Sequence, residues 1–396
     1  MSQTKKPRTQ HPILRRKKND LPEDIVLNIL AKLPVKSVIR FRCVCKSCYS
    51  LITSPNFIST HLNNNNKDNN DHGYLLHMPN FIKNAIHSSS RSNSNRPVCA
   101  VACDPMFNRI SEFRISSNFP LQIALIVGSC NGLLCVADYS IEVIYLWNPS
   151  IRKFKRLPDI CLSHEWVATG FAYQSDTDDY KVVKLWHSLC EKGIDLVVEA
   201  EVYTLSSDSW RSVGISLMGN VEINDIKSCS PAVFVSGALH WLAYFREGEK
   251  MILSFDVNRE KFGEMGLPDL CGDEFIPQMQ TLVVFKGNLA FITLGFPEIY
   301  YEDFMLIQTP CIIWVMGEYG VRESWNKIFS LHLEDVVNFF GCTWLGELIV
   351  QKVVDDVELQ IVSLDPETFW EKDLGIQHPP TIATTFMESL VLLDMN

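Results

Sequence analysis

The sequence predicts a two-part chain of the α+β multidomain class, a small all-α module followed by a large all-β domain. Three observations lead there. Apolar residues recur at helical spacing between residues 20 and 62. From about residue 74 the apolar runs shorten to about four to eight residues, broken by Gly, Asn, Asp, Ser and Pro. A unit of such runs then recurs roughly every 55 residues. The resulting layout is a basic arm over 1–19, the helical module over 20–62, an Asn-rich linker over 63–73 and the β-domain over 74–396.

The elements of the module come in order. Asp20 can cap a first helix, and Pro22 suits its first position, where a missing N–H costs nothing. Glu23 and Asp24 favour the positive helix end. Ile25, Val26, Ile29, Leu30 and Leu33 keep helical spacing until Pro34 stops the run. Val35, Val38, Ile39 and Phe41 mark a second helix, Cys43 to Ile52 a third, and Pro55 to Leu62 a fourth. A cluster this small buries too little surface to be comfortable alone. Its apolar residues also exceed one inward face, so one side is expected to pack on a partner or on the rest of the chain.

Residue order separates those two readings. The run Leu21-Pro22-Glu23-Asp24-Ile25, Ile29 through Pro34 and Val35 through Ser47, continued by Leu51-Ile52, Pro55, Phe57 and His61-Leu62, closely resembles the plant F-box. The resemblance implies docking on a Skp-family adaptor and, through it, on a cullin and a RING subunit. It places Leu21, Pro22, Ile25, Leu30, Leu33, Pro34, Val38 and Val44 in the adaptor-facing apolar set. Each could equally be core, so the set is expected to divide. The family usually has Trp after Cys-Lys-Ser, where this chain has Cys48. A Trp buries much more apolar area, so this departure weakens the interface or the local fold by about 1–2 kcal/mol. Tyr49 next door offers partial compensation.

In the β-domain the recurring unit is an apolar strand opened by Gly, an aromatic-led strand, a turn, then Trp or Phe with basic neighbours. Gly132-Leu133-Leu134 leads to Trp147 and Phe154, Phe171-Ala172-Tyr173 to Tyr203 and Trp210, and Gly237 to Phe255 and Phe262. Gly287 leads to Trp314 and Trp325, and Gly346 to Val362 and Trp370. The period suits a four-stranded blade, with a degenerate first unit in 74–115 and a closing strand near Thr385 to Leu393. A six-bladed propeller fits best, with five and seven blades as the neighbouring solutions. Ring closure removes free strand edges. The phrases Gly128-Ser129-Cys130-Asn131-Gly132, Trp147-Asn148-Pro149, Gly170-Phe171, Asp179-Tyr180-Lys181-Val182-Val183 and Ser209-Trp210-Arg211 resemble the plant F-box-associated domain over roughly 120–395. The S-locus F-box and F-box–kelch-like proteins belong to this group, although the paired glycines of true kelch repeats are missing here.

Composition bounds the function. The chain has 396 residues, 46% hydrophobic, with 22 Phe and 9 Trp, ample for a core. A net charge of −10 argues against a nucleic-acid partner. No apolar run matches a membrane span, and charge occupies the place of a secretory signal, so a cytoplasmic or nuclear setting without a membrane partner is expected. Thirteen scattered Cys then read as reduced, mostly buried thiols. Cys43 and Cys45 would point to different sides of a helix, and no second pair stands at zinc spacing. The arm containing Lys5, Lys6, Arg8 and Arg15 to Lys18 reads as a solvated tail or a nuclear-import signal.

No catalytic constellation emerges. Hydrolase elbow, phosphate loop and zinc-protease motifs are missing. His164, His187, His240, His332 and His378 lie far apart, and Asp178-Asp179 and Asp355-Asp356 read as solvated hairpin tips. The Trp residues read as blade core. No cofactor and no metal are expected. The expected function is a non-catalytic, substrate-recognising subunit of a Skp–cullin–F-box ubiquitin ligase. Loops 187–200, 219–230, 268–278 and 296–310 are its candidate contacts for an unidentified target protein. A glycan-binding receptor and a scaffold outside any ligase are the alternatives.

Overall fold

The structure is a computed structural model, which describes residues 21–67, 74–79, 98–102, 110–114, 125–138, 143–159, 166–189, 196–217, 223–226, 231–245, 250–269, 279–295, 308–354, 358–376 and 380–394. Four helices come first: α1 (Glu23–Leu30), α2 (Val35–Phe41), α3 (Lys46–Ile52) and α4 (Pro55–Lys67). Pro22 and Pro34 are the N-caps of α1 and α2, so Pro34 opens the second helix, four residues after the first has ended. The expected cap Asp20 lies outside the described residues. The third helix begins at Lys46, later than the expected Cys43, because extended Cys45 is its N-cap. The fourth runs past Leu62 to Lys67, so the Asn-rich stretch is helical over Asn63–Lys67. Asn64 Nδ2 donates to Ala31 O at 3.4 Å, tying that extension to the end of α1.

Antiparallel strands come next, in six sheets among the described residues. The first contains β1 (Tyr74–Pro79), β2 (Val98–Ala102) and β3 (Ile110–Arg114). The second runs β4 (Leu125–Cys130), β5 (Leu133–Ala137), β6 (Ile144–Asn148) and β7 (Lys153–Arg156). The third runs β8 (Trp166–Gln174), β9 (Asp179–Leu189), β10 (Leu196–Thr204) and β11 (Ser209–Val213). The fourth holds β12 (Ile223–Ile226) and β13 (Val233–Val235), both on β14 (Ala238–Phe245), then β15 (Lys250–Asp256) and β16 (Lys261–Gly266). The fifth runs β17 (Met279–Phe285), β18 (Asn288–Leu294), β19 (Gln308–Met316) and β20 (Trp325–Glu334). The sixth runs β21 (Val336–Cys342), β22 (Leu348–Val354), β23 (Glu358–Leu364) and β24 (Glu371–Asp373). The last strand, β25 (Pro380–Phe386), returns to pair with β1 from Tyr74↔Phe386 to Pro79↔Pro380. The C-terminal strand thus completes the first sheet and closes the ring. The chain after Phe386 leaves the sheet, so the closing strand ends before the expected Leu393.

The repeat in the sequence is now legible as three strands of a blade. Gly132, Gly237 and Gly287 sit in hairpin turns at φ of 75°, 75° and 84°, each after a residue that is also at positive φ. Such pairs suit the tight turns whose twist matches the flanking strands. The strands after these turns lie between neighbouring sheets, so β5 and β6 are buried throughout. Edge strands such as β7 and β11 alternate or face water. The hydrophobic clusters span adjacent sheets. Val183, Leu185 and Val202 pack with Leu239, Leu253 and Phe255, and Val283 and Ile313 pack with Leu348 and Val350.

Tryptophan adds a polar stitch to this packing. Trp210 Nε1 donates to Pro158 O at 3.0 Å, Trp241 Nε1 to Thr169 O at 3.1 Å, and Trp325 Nε1 to Gly266 O at 3.0 Å. Each indole reaches back to the preceding sheet, which a Phe could not do. Trp147, Trp186, Trp241 and Trp325 are buried as expected, whereas Trp370 is exposed. Gly170 faces the next sheet so closely that a Cβ would lie 2.8 Å from Ala232 Cβ and 2.9 Å from Leu239 Cδ1. Lys181 is buried, donates to Val257 O and pairs with Glu260, which also pairs with Arg211.

Candidate functional site

The helical module has two unlike faces. Leu30, Ala31, Val35, Val38, Ile52, Phe57 and Ile58 form its buried core. His61 is buried beneath them, with Nε2 2.9 Å from Leu33 O. Outside this core Leu21, Ile25, Ile29, Phe41, Val44 and Tyr49 are exposed large apolar side chains. Ile25 and Ile29 lie one turn apart along α1, and Leu21 precedes its N-cap. Arg42 lies 5.8 Å from the centre of the Tyr49 ring. Lys32, Lys36, Arg40 and Lys46 of the same module are exposed.

The expected adaptor-facing residues divide between these faces. Leu21, Pro22, Ile25, Pro34 and Val44 are exposed, and Leu33 is half-buried. Leu30 and Val38 are only 5% and 0% exposed and belong to the core. Periodicity could not separate them, because a helix of eight residues carries apolar side chains on both sides. Ile29, Phe41 and Tyr49 join the exposed surface although sequence reasoning did not choose them. The spacing of Ile29 from Ile25 was the signal that could have found it.

The core face is fastened to the propeller by the chain after β25. Leu390 and Leu393 belong to the helical core, while Val391 and Leu392 pack with Leu62 and the second sheet. Asn148, wholly buried, donates through Nδ2 to Ser389 O at 3.1 Å, Ser389 Oγ at 3.2 Å and Val391 O at 2.9 Å. Its Oδ1 accepts from Ser150 N at 2.9 Å. Lys153 Nζ donates to Leu393 O at 3.3 Å. A Cβ on Gly132 would collide with Met387 O and the Ser389 side chain. The phrases Cys130-Asn131-Gly132 and Trp147-Asn148-Pro149 therefore form the seat of the C-terminal segment.

That seat defines the two ends of the ring. The β4–β5 and β6–β7 turns share one end, because alternate connections of an antiparallel sheet do. The helical module sits there. The β5–β6, β7–β8, β9–β10, β16–β17 and β18–β19 connections leave from the other end. The expected contact loops belong largely to these connections and to 219–230. Residues 187–189 and 196–200 are instead strand, as are 223–226. Residues 190–195, 219–222, 227–230, 270–278 and 296–307 lie outside the described residues.

The polar candidates resolve as structural groups. His240 is buried, with Nδ1 3.0 Å from Val233 O and Nε2 2.8 Å from Tyr319 Oη, and burial lowers its pKa from 6.5 to about 4. It is held as a neutral ring that donates to the carbonyl and accepts from the tyrosine. His332 is exposed on β20. His164 and His378, the His187 side chain, and Asp355-Asp356 lie outside the described residues. Asp178 is exposed, but Asp179 is not the solvated tip expected. It is buried, and its Oδ1 accepts from Tyr180 N at 2.7 Å and Ser206 N at 3.2 Å. Among the described residues, no group of three or more His, Cys, Asp or Glu could hold a metal ion. No described helix is long and apolar enough to cross a membrane. The Cys expectation needs correction: Cys43 and Cys45 are exposed and Cys48 half-buried, because they flank the start of α3 and do not lie inside one helix.

Comparison with known proteins agrees with both parts. The F-box domain model matches residues 19–60, and the F-box associated beta propeller domain model matches residues 86–367. An F-box/kelch-repeat protein of Arabidopsis thaliana is 28% identical over 341 residues, covering 84% of each chain. A second Arabidopsis thaliana F-box protein is 29% identical over 335 residues, covering 78% of this chain and 72% of its own. F-box protein CPR1 from Arabidopsis thaliana is 26% identical over 360 residues, covering 86% of this chain and 79% of its own. With helices at one end, a closed ring of sheets behind them and both models matched in order, the chain belongs to the F-box proteins with an F-box-associated β-propeller domain.

Proposed function

We propose that this protein is the substrate-recognising subunit of a Skp–cullin–F-box ubiquitin ligase. One observation carries the reading. The F-box helices bury one face against the propeller and the C-terminal segment, yet leave Leu21, Ile25, Ile29, Phe41, Val44 and Tyr49 uncovered. Six exposed large apolar side chains on so small a module are costly in water unless a partner covers them. The Skp-family adaptor is that partner, with exposed Lys32, Lys36, Arg40 and Lys46 favouring an acidic rim on it. Leu21, Pro22, Ile25, Pro34 and Val44 make the contact, with Leu33 at its margin, while Leu30 and Val38 support it from the core.

The chain performs no bond chemistry in this proposal. The adaptor links it to a cullin, and the RING subunit brings a charged conjugating enzyme. The propeller holds an unidentified target protein by the end remote from the F-box. Tethering raises the local concentration of a target Lys and orients it for attack. The setting is cytoplasmic or nuclear, and the target is then degraded by the proteasome.

The test is co-purification of full-length protein with recombinant adaptor and cullin. Wild type should capture both, and Ile25→Asp should lose both while remaining folded. Removing the F-box should abolish adaptor capture and spare target capture. Adaptor capture by the propeller alone would overturn the assignment.

A further inference from the structure

Cys45, Lys46, Ser47 and Cys48 form a Cys-x-x-Cys sequence at the start of α3. Cys45 is the N-cap in extended conformation, at φ −157° and ψ 164°. Its Sγ accepts a hydrogen bond from Cys48 N at 3.2 Å. The two sulfurs lie 3.0 Å apart, with Cys45 Sγ donating to Cys48 Sγ. Cys45 is exposed and Cys48 half-buried, so small oxidants can reach the pair. A disulfide needs an S–S length of about 2.05 Å, so an approach of roughly 1 Å closes it.

We infer that Cys45 and Cys48 form an oxidisable dithiol, a site for reversible disulfide formation by a hydroperoxide. The Cys45 thiolate attacks the distal peroxide oxygen and becomes a sulfenic acid, while the O–O bond breaks and water or an alcohol leaves. Cys48 sulfur then attacks the sulfenic sulfur, the S–S bond forms, and a second water leaves with the Cys48 proton. Two thiols are oxidised by two electrons and one hydroperoxide is reduced. A dithiol reductant reverses the change by exchange.

The division of roles comes from the contacts. Cys45 is the more exposed thiol and its Sγ accepts the Cys48 N–H, which places it first in the path of an oxidant. The hydrogen bond with Cys45 is the first cause that raises the Cys48 pKa, followed by burial, so Cys48 keeps its proton as the resolving thiol. The propeller thiols are a contrast. Burial pushes Cys130 and Cys311 up to about 12 and raises Cys135 and Cys342 well above the ordinary range, so they stay protonated and inert. The inference does not rest on the ligase reading, since it concerns only this chain.

The test uses full-length Cys43→Ser protein, which removes the neighbouring exposed thiol. It is treated with one equivalent of hydrogen peroxide, unfolded in N-ethylmaleimide and digested with trypsin without reduction. Cleavage after Arg42, Lys46 and Lys67 places Cys45 and Cys48 on separate peptides. The expected product joins these peptides with the loss of two hydrogens, and a dithiol reductant releases them. Maleimide should disappear from residues 45 and 48 together while Cys130, Cys135, Cys311 and Cys342 keep theirs. Maleimide on both residues after oxidation would overturn the inference. Separate sulfinic acids on the two would overturn it as well.

Discussion

Replacing Asn148 with Ala should loosen the attachment of the F-box to the propeller. Its amide sits at 0% exposure and donates to two carbonyls and a hydroxyl of the C-terminal segment. An Ala leaves those acceptors without their donor. Each orphaned buried acceptor costs about 1–3 kcal/mol, and relaxation or entering water recovers part of it. The Ser150 N–H loses its acceptor too, at a smaller cost because that turn is half-buried. The expected loss is therefore about 3 kcal/mol of unfolding free energy. Urea unfolding followed by Trp fluorescence measures it. Asn148→Asp should be at least as damaging, because a carboxylate offers no donor and meets carbonyl oxygens. The decisive comparison is a chain ended after Phe386, which keeps β25 and lacks the partner segment. In that background Asn148→Ala should cost almost nothing, since a pair of changes acting through one contact is non-additive. A loss below about 1 kcal/mol in the full chain would refute the reasoning, as would an equal loss in the shortened chain.

The surface and core of the F-box should respond differently. Leu21→Arg or Val44→Arg should reduce adaptor binding at least about tenfold, with stability within about 0.5 kcal/mol of wild type. Leu30→Ala or Val38→Ala should destabilise by about 1–4 kcal/mol through a cavity, read by urea unfolding. Cys48→Trp should strengthen adaptor binding by about 1–2 kcal/mol as added apolar area is buried, and a pull-down titration with equal or weaker capture counts against it. His240 should make stability depend on acid. Its folded pKa, about 4, lies below the ordinary 6.5, so the unfolded chain takes up the proton first. The contribution is complete above pH 6.5 and is lost as pH falls toward 4, by up to about 3 kcal/mol. Denaturation midpoints across that range should fall in wild type and change less in His240→Gln.

Much of the architecture was readable because its causes are local. Asn131-Gly132 and Lys286-Gly287 announce hairpins, since few residues accept positive φ. Short apolar runs between such turns announce strands covered on both faces. Helix over the first part of the Asn-rich stretch was not legible because Asn disfavours helix interiors, yet α4 continues to Lys67 with Asn64 bonded to Ala31 O. Cys45 was missed as a cap because a thiol is an unusual one; the offset of three residues to Cys48 was visible, but the distance between the sulfurs was not.

Residue order by itself determined the F-box, the all-β class of the large domain and the spacing of its sheets, since capping, periodicity and turn chemistry act over a few neighbours. Tertiary structure decided which of Leu21, Ile25, Leu30 and Val38 meet water, because burial depends on what packs against a helix and not on its own period. It also decided that the expected closing strand pairs with β1 and ends at Phe386, and that the residues after it bind Asn148, 241 positions earlier for Ser389. Contacts between such distant residues leave no periodic trace in a single sequence, because only the folded chain brings a donor and its acceptors together.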